Sequence, residues 1–532
     1  MNPSLPGGPA PVLLIHPPTV RACEPPAGVA LLAGAVRAAG FGCRIWDANL
    51  EGQLALLRGF DAADAADTWT RRAVRDRDDH LRRLRDGSAF RNPDTYRRIV
   101  GDLDRLLANG PWNASGRRLG LVDATDDRLS PTRSVDLMHA AAEPLDDPYI
   151  RALRPRLDEL LGGEEPRVIG ISLNYLSQAL SAFAFAGLVR RLAPRARLVA
   201  GGGLVTTWMS RPGWVNPFGG LFDDLVAGPG EKRFIDIIKS AIDDSVAADA
   251  AVCGEAIAAF DLLPTADYLS PVPVLPVSAS SGCYWRSCSF CPEKAEGNPF
   301  RPADREVLLR NVKNISEYMK PGILHWLDNA LSPVLLRELA GRSAGTPWFG
   351  FARFEPLLAE PGMAAALRRS GCVMLQLGLE SGDQGVLDAL GKGIRLETAE
   401  AVLRELHRAG IGTYVYLLFG TPVEDERAAR RTLDWVAARA GTIDFLNLAI
   451  FNLPLGAPEA AALDVRPFSE GDLPLYLEFA HPHGWHRGPV RRFLEAEFRR
   501  HPAIRPILHR DPPFFTSSHA PFFVPSVSTS IG

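Results

Sequence analysis

Ser280 to Pro292 reads "SSGCYWRSCSFCP" and carries three of the chain's 7 cysteines. Cys283, Cys288 and Cys291 stand in C-x4-C-x2-C spacing, just after a strand-like run. The other cysteines, Cys23, Cys43, Cys253 and Cys372, stand alone and read as small buried residues. A structural zinc site closes with four ligands, and no fourth cysteine or histidine follows at a suitable distance. A disulfide plus a spare thiol does not suit a reducing compartment. Iron–sulfur clusters take thiolates as their ligands. Three thiolates on four irons leave one iron open, as a substrate or cosubstrate that binds metal requires. The missing fourth ligand therefore favours a 4Fe-4S cluster, with zinc and inert thiols as the alternatives.

Outward from this loop, the totals describe an ordinary globular chain. Its 532 residues exceed one core, and 46% hydrophobic with 23% charged residues is ample for burial. A formal net charge of −3 gives no reason to expect nucleic acid or an anionic membrane as partner. The opening "MNPSLPGGPAPVLLIHPPTV" lacks a basic n-region, and no apolar run is long enough to span a bilayer. Clustered cysteines in odd number fit the cytoplasm.

Before the cysteine loop the chain reads as an open α/β sheet. Strand runs "PVLLIHPPT" (Pro11 to Thr19), "CRIWDAN" (Cys43 to Asn49), "RVIGISLNY" (Arg167 to Tyr175) and "ARLVAGGGLVT" alternate with helices such as "GVALLAGAVRAAG". "DDLVAGPGEKRFIDIIKSAI" adds a further strand–helix unit. About a hundred residues, roughly 52–165, interrupt the pattern as an insertion without strand signals. Its run "RRAVRDRDDHLRRLRD" mixes charge signs at helical spacing, the pattern of a solvated helix face. In doubly wound sheets ligands sit beyond the carboxyl ends of the strands. Ser172, Asn174, Gly201, Gly202, Gly203, Gly228 and Glu231 fall there and are the candidate ligand-binding residues of this half. No G-x-G-x-x-G follows the first strand, which counts against a dinucleotide fold.

After a Pro-rich join, "LSPVPVLPVSASSG" (Leu269 to Gly282), alternation resumes. Strand candidates are "ILHWLDN", "WFGFARF", "VMLQLGLES", "TYVYLLFG" and "FLNLAIFNL", separated by helices such as "PGMAAALRRSG" and "TAEAVLRELHRAG". Units of this length suit an open or partial parallel barrel. Past Pro458 the pattern fades into a tail of helix and aromatic loop, including "DPPFFTSSHAPFF" (Asp511 to Phe523). The expected organisation is an α/β sheet domain over 1–265, a partial barrel over 266–460 and an extension over 461–532.

The cysteine loop and the strand–helix units after it resemble the radical SAM superfamily, although the commonest spacing there is C-x3-C-x2-C. Phe290 matches the aromatic that usually precedes the last cysteine. "LGLESGDQGVLDALGKGI" (Leu377 to Ile394) resembles the family's segment at the end of the fourth barrel strand, with Glu380 and Ser381 beside the ribose of S-adenosylmethionine (SAM). "YLLFGTPVEDE" (Tyr416 to Glu426) resembles the fifth-strand motif along the adenine, through Gly420 and Glu424. "LDNALSP" stands where many members have Gly-Gly-Glu, which puts Asp328 and Asn329 at the SAM amino group. Arg353 in "FARFEP" is a candidate for the SAM carboxylate.

The N-terminal order "HPP", "PPAGVALLAGAVRAAG", "DAN", "GIS", "AGGG", "GPGE" resembles the cobalamin-binding domain that precedes many radical SAM barrels. The D-x-H-x-x-G run that supplies a histidine to cobalt elsewhere is absent: Asp47-Ala48-Asn49-Leu50 does not match it. Together the resemblances imply a cytoplasmic enzyme with a 4Fe-4S cluster, SAM and cobalamin. Methyl transfer to a carbon or phosphorus that is not nucleophilic is the implied reaction, because an unactivated C–H bond has no useful acidity for a side-chain base. The implied partners are a small-molecule or peptide substrate and an electron donor such as flavodoxin or ferredoxin. Alternatives are cyclisation or rearrangement on the same cofactors, and an iron–sulfur electron-transfer or sensing protein. His481, His483 and His486 in "HPHGWHRG" read as a surface loop or as residues closing over a substrate.

Overall fold

The computed structural model describes residues 11–163, 165–242, 256–342, 345–514 and 519–524. Cys253 and part of the aromatic loop after Asp511 lie outside them. Strands β1 (Val12–His16), β2 (Cys43–Asp47), β3 (Val168–Ser172), β4 (Arg197–Gly201) and β5 (Asp224–Val226) form one parallel sheet in the order β2-β1-β3-β4-β5. Near-continuous aliphatic runs make these strands because both faces are covered. Leu13, Ile15, Ile169 and Ile171 pack on one face against the helix Leu176–Leu192. Their neighbours Val12, Leu14 and Val168 pack on the other against the helices Ala27–Ala38 and Glu231–Ile242. The order reverses between β1 and β3, and doubly wound sheets bind ligands at the carboxyl side of such a point.

The stretch between β2 and β3 is largely helical, as expected, with one short hairpin (Arg117–Leu119 paired with Ala124–Asp126) that its arginines and aspartates concealed. Asp47 and Asn92 accept from backbone N–H groups to start the helices Ala48–Gly59 and Pro93–Ala108. The Arg/Asp-rich run is helix Thr68–Arg85, which buries Ala73, Leu81 and Leu84 and leaves most of its charges in water. This helical block is more than a surface decoration. Tyr96, Leu103 and Leu107 share one core with Ile323, Phe349, Met374, Tyr414 and Phe445 from the barrel, and with Phe522 from the tail.

Six parallel strands make the partial barrel, in sequential order: β6 (Val274–Val277), β7 (Ile323–Trp326), β8 (Trp348–Ala352), β9 (Cys372–Glu380), β10 (Gly412–Phe419) and β11 (Phe445–Ile450). The Pro-rich join therefore contains the first barrel strand. Pro276 fits there because β6 is an edge, where a missing N–H leaves no ladder bond unmade. The tail also differs from expectation. Leu453–Pro454, Val465–Pro467 and Tyr476–Phe479 form a small antiparallel sheet, too short and too polar to show a period of two.

Helix Leu176–Leu192 approaches helix Ser134–Ala142 through Gly187, where an added Cβ would lie 1.9 Å from the Ala141 carbonyl oxygen. Gly187→Ala is expected to force these helices apart and cost about 1–3 kcal/mol. Denaturant midpoints of the variant and the parent protein measure it; an unchanged midpoint would refute the close approach.

Candidate functional site

At the carboxyl edge of the N-terminal sheet a cleft of about 190 Å³ runs inward between the sheet and two helices. Gly28, Gly170, Ser172, Asn174, Gly201, Gly202, Gly228 and Glu231 line it, with Leu14, Val199 and Phe234 at its apolar floor. Six of the seven residues expected here thus share one cavity. Gly203 stands beside it, its N–H donating to Asn174 Oδ1 at 3.0 Å, while Asn174 Nδ2 donates to Ser172 Oγ at 3.1 Å. Gly202 has φ of +108°, and a Cβ there would sit 2.5 Å from the Leu173 carbonyl oxygen. Loops at the switch point are tied together. Gln178 Nε2 donates to the Pro17 carbonyl at 2.7 Å, and Ser177 Oγ to the Thr19 carbonyl at 2.8 Å.

The cysteine loop leaves β6 and turns over the carboxyl end of the barrel. Gly282 has φ of +70°, and a Cβ there would also meet the Pro299 carbonyl oxygen at 2.5 Å. Arg286 also takes the left-handed region, at φ +56°, and makes room for the longer first gap. Trp285 Nε1 donates to the Gly391 carbonyl at 2.9 Å and Ser289 N to that of Leu390. The loop is thereby pinned to the segment that follows β9. Burial pushes the Cys288 and Cys291 thiols up, and each of the three sulfurs interacts electrostatically with the others. Lys392 and Arg353 pull Cys288 back down.

Arg353 is 5% exposed and fully engaged. Its Nη1 lies 3.9 Å from Cys288 Sγ, its Nε donates to Glu355 Oε1 at 3.1 Å, and its Nη2 donates to the Lys392 carbonyl. The guanidinium covers the Trp285 ring, 4.2 Å from its centroid. Tyr284 OH donates to the same Glu355 oxygen at 2.7 Å. Arg353, the residue expected at the SAM carboxylate, is thus placed beside Cys288 among these partners.

Along the barrel rim the remaining expected residues separate into facing and bracing groups. Glu380 follows a bulge in β9 at φ +70°, and accepts from Lys392 Nζ at 2.8 Å. A Cβ added at Gly378 would stand 2.7 Å from Glu380 Oε1, so the carboxylate would have to shift to admit it. Ser381 is fully buried and its hydroxyl bonds Thr432 Oγ1 and the Asp383 N–H, so it braces the turn instead of lining a ligand space. Asp328 is likewise a brace: it accepts from Ala279 N at 2.9 Å and from Ser280 Oγ, fixing the entry to the cysteine loop. Asn329, next to it, is exposed. Gly420, at φ +79°, donates its N–H to Glu424, whose carboxylate also accepts from Trp485 Nε1 at 3.0 Å. Burial pushes the Glu424 carboxyl up to about 8.

Gly420 lines a second cavity, of about 290 Å³, under the small C-terminal sheet. His481 and His486 line it too, but His481 Nε2 meets the Thr421 carbonyl and His486 caps the helix Arg487–Phe493; His483 is exposed. Sequence reasoning passed over Trp285, Glu355 and Lys392 although all three sit inside quoted segments. It also passed over a buried pair between the N-terminal half and the barrel: His325 Nδ1 lies 2.8 Å from Glu24 Oε2. Thr207 Oγ1 donates to Glu296 Oε1 at 2.8 Å, so the helix after the three glycines touches the segment after Cys291. Segments that follow the carboxyl ends of β4 and β6 are therefore in contact.

Residues 277–436 match the family profile of the radical SAM superfamily. This stretch is a radical SAM domain. A bacteriochlorophyllide d C-12(1)-methyltransferase of Chlorobaculum tepidum is 29% identical over 171 residues. That match covers 31% of this chain and 37% of the relative's length. Over nine-tenths of its length the chain shares its fold with the radical SAM methyltransferase TsrM of Kitasatospora setae, solved with cobalamin and a [4Fe-4S] cluster. There the TM-score is 0.51 at 16% identity, over 90% of this chain and 84% of that one. A second TsrM structure, with tryptophan and a SAM analogue, gives 0.52 over 91% and 87%. The radical SAM domain is thus preceded by a parallel sheet in the same arrangement as in TsrM. Among the described residues no helix is long and apolar enough to cross a membrane.

The donor set of the radical SAM domain, three thiols within one loop, is of the kind that iron–sulfur clusters take as ligands.

Glu424 gives a pH test of the rim. Its folded carboxyl keeps the proton up to about 8, whereas an unfolded glutamate releases it near 4.5. The stability it contributes is full below the lower value and is lost as pH rises to the higher one, on the order of a few kcal/mol. Urea midpoints at pH 5 and pH 8 should therefore differ in the parent protein and converge in Glu424→Gln. Equal slopes in both would refute the buried neutral acid.

Proposed function

We propose that this chain is a cobalamin-dependent radical SAM methyltransferase. One arrangement carries the proposal: three thiols stand in the loop after the first strand of a partial barrel, and a glycine-lined cleft lies at the carboxyl edge of a second parallel sheet, whose helix Gly203–Met209 touches the segment after Cys291. In this reading Cys283, Cys288 and Cys291 would hold a 4Fe-4S cluster. Ser172, Asn174, Gly201, Gly202, Gly203, Gly228 and Glu231 would border cobalamin, part of which would enter the cleft. With these groups bound, the chemistry supplied is one-electron cleavage of SAM and methyl transfer through cobalt.

The chain's own residues bind and orient. Gly201 and Gly202 leave the sheet edge bare of side chains, so a broad flat ring system can lie against backbone. Leu14, Val199 and Phe234 offer an apolar slot for any part of it that reaches inward. Asn329 and Glu380 with Lys392 border the space for SAM, while Asp328 and Ser381 hold the loops that shape it. Gly420 brings backbone to the adenine side, supported from beneath by neutral Glu424. The substrate is a small molecule or peptide with a non-nucleophilic carbon or phosphorus to be methylated, of the kind found in natural-product or cofactor precursors. The reductant is a flavodoxin or ferredoxin in the cytoplasm.

Anaerobic reconstitution tests this. The parent protein should retain iron, sulfide and cobalamin through desalting. With SAM and dithionite it should release 5′-deoxyadenosine, and S-adenosylhomocysteine when substrate is methylated. Alanine at Cys283, Cys288 or Cys291 should abolish iron retention while leaving cobalamin bound. Gly28 stands at the mouth of the cleft with open space where a Cβ would go. Gly28→Phe should therefore lose cobalamin while keeping the cluster. Zinc in place of iron and sulfide, or a cluster spectrum indifferent to SAM, would refute the reading. 5′-Deoxyadenosine without any methylated product would favour cyclisation or rearrangement.

A further inference from the structure

The longer gap between Cys283 and Cys288 has a structural counterpart. Arg286 turns left-handed, and Trp285 is carried onto the segment after β9, with its indole under the Arg353 guanidinium. Gly393 leaves the space: a Cβ there would stand 2.0 Å from the Trp285 ring. Each nitrogen of the guanidinium then has a fixed partner, in Glu355, the Lys392 carbonyl and Cys288 Sγ. We propose that Arg353, held by Trp285 and Glu355, is a positioning residue that donates a hydrogen bond to the cluster ligand Cys288 and raises the cluster's reduction potential. This rests on the cluster reading given above.

The sign follows from charge. One-electron reduction makes a cluster more negative, and a cationic N–H aimed at a ligating sulfur stabilises the reduced form more than the oxidised one. At 5% exposure the guanidinium is little screened by water, so the interaction is stronger than at the surface. Glu355 acts in the opposite sense. Its carboxylate orients Arg353 but also offsets its charge, 3.1 Å from Nε. Both Tyr284 and Arg353 use the same Oε1, and a glutamine can supply that acceptor. Glu355→Gln therefore removes charge while leaving the hydrogen bonds in place.

The experiment compares parent, Arg353→Gln and Glu355→Gln, each full-length and reconstituted anaerobically with iron and sulfide. Iron and sulfide content is measured first. The cluster is then titrated with dithionite as the one-electron donor and followed by electron paramagnetic resonance. Arg353→Gln should shift the midpoint to a more negative potential and Glu355→Gln to a less negative one, at equal cluster content. An unshifted midpoint in cluster-loaded Arg353→Gln would overturn the proposal. So would weaker SAM binding at an unshifted midpoint, which would assign the guanidinium to the SAM carboxylate. If Arg353→Gln fails to hold a cluster, Glu355→Gln decides alone, and no shift there overturns the proposal. A parent protein without iron and sulfide would instead defeat the cluster reading itself.

Discussion

A parallel strand has to be followed by a connection that returns to the opposite end, so every loop free to carry chemistry collects at the carboxyl edge. This chain applies that constraint twice, in a five-stranded and a six-stranded parallel sheet, and segments beyond the two edges touch one another. The Thr207–Glu296 hydrogen bond and the buried Glu24–His325 pair lie where they meet. The glycine cleft and the cysteine loop both belong to those carboxyl ends. A change of register in either sheet would turn its loops away from the gap.

Within the gap the side chains divide their labour. Those nearest the cysteines are already committed to one another: Arg353 to Glu355, Trp285 and Lys392, and Lys392 to Glu380. Buried charges persist only when paired and hydrogen-bonded, and here the pairing also fixes the loop. The glycine cleft is the reverse case. Its bare backbone and apolar floor present little that competes with a ligand for hydrogen bonds.

Much of this was legible in the residues. Strands with both faces covered announce themselves as aliphatic runs, and β1 to β5 and β7 to β11 were all visible in that way. β6 showed only as the strand-like run before Cys283, because prolines on both sides of Val274 also look like a linker, although an edge strand tolerates them. The small C-terminal sheet was hidden by its brevity. Cys283, Cys288 and Cys291 were evident from spacing, and the glycine cleft from its position after strands. Sequence did not separate Ser381 and Asp328, whose side chains hydrogen-bond neighbouring loops, from Glu380, which pairs with Lys392, and Asn329, which is exposed. Motif position gives the place of a residue along a strand end, but the partner that captures its side chain comes from elsewhere in the chain. Trp285 and Lys392 were missed for the same reason.

The floor beneath the barrel is supplied by the helical block between β2 and β3 together with Phe522, whose ring lies 5.0 Å from Phe90 and 5.6 Å from Tyr96. During synthesis that block emerges before any barrel strand, and Phe522 after all of them. The apolar underside of the strands is thus sheltered by a partner already made, while the last wedge is fitted from the opposite end of the polypeptide. Assembly of this kind ties completion of the barrel to contacts of very long sequence separation, which form late.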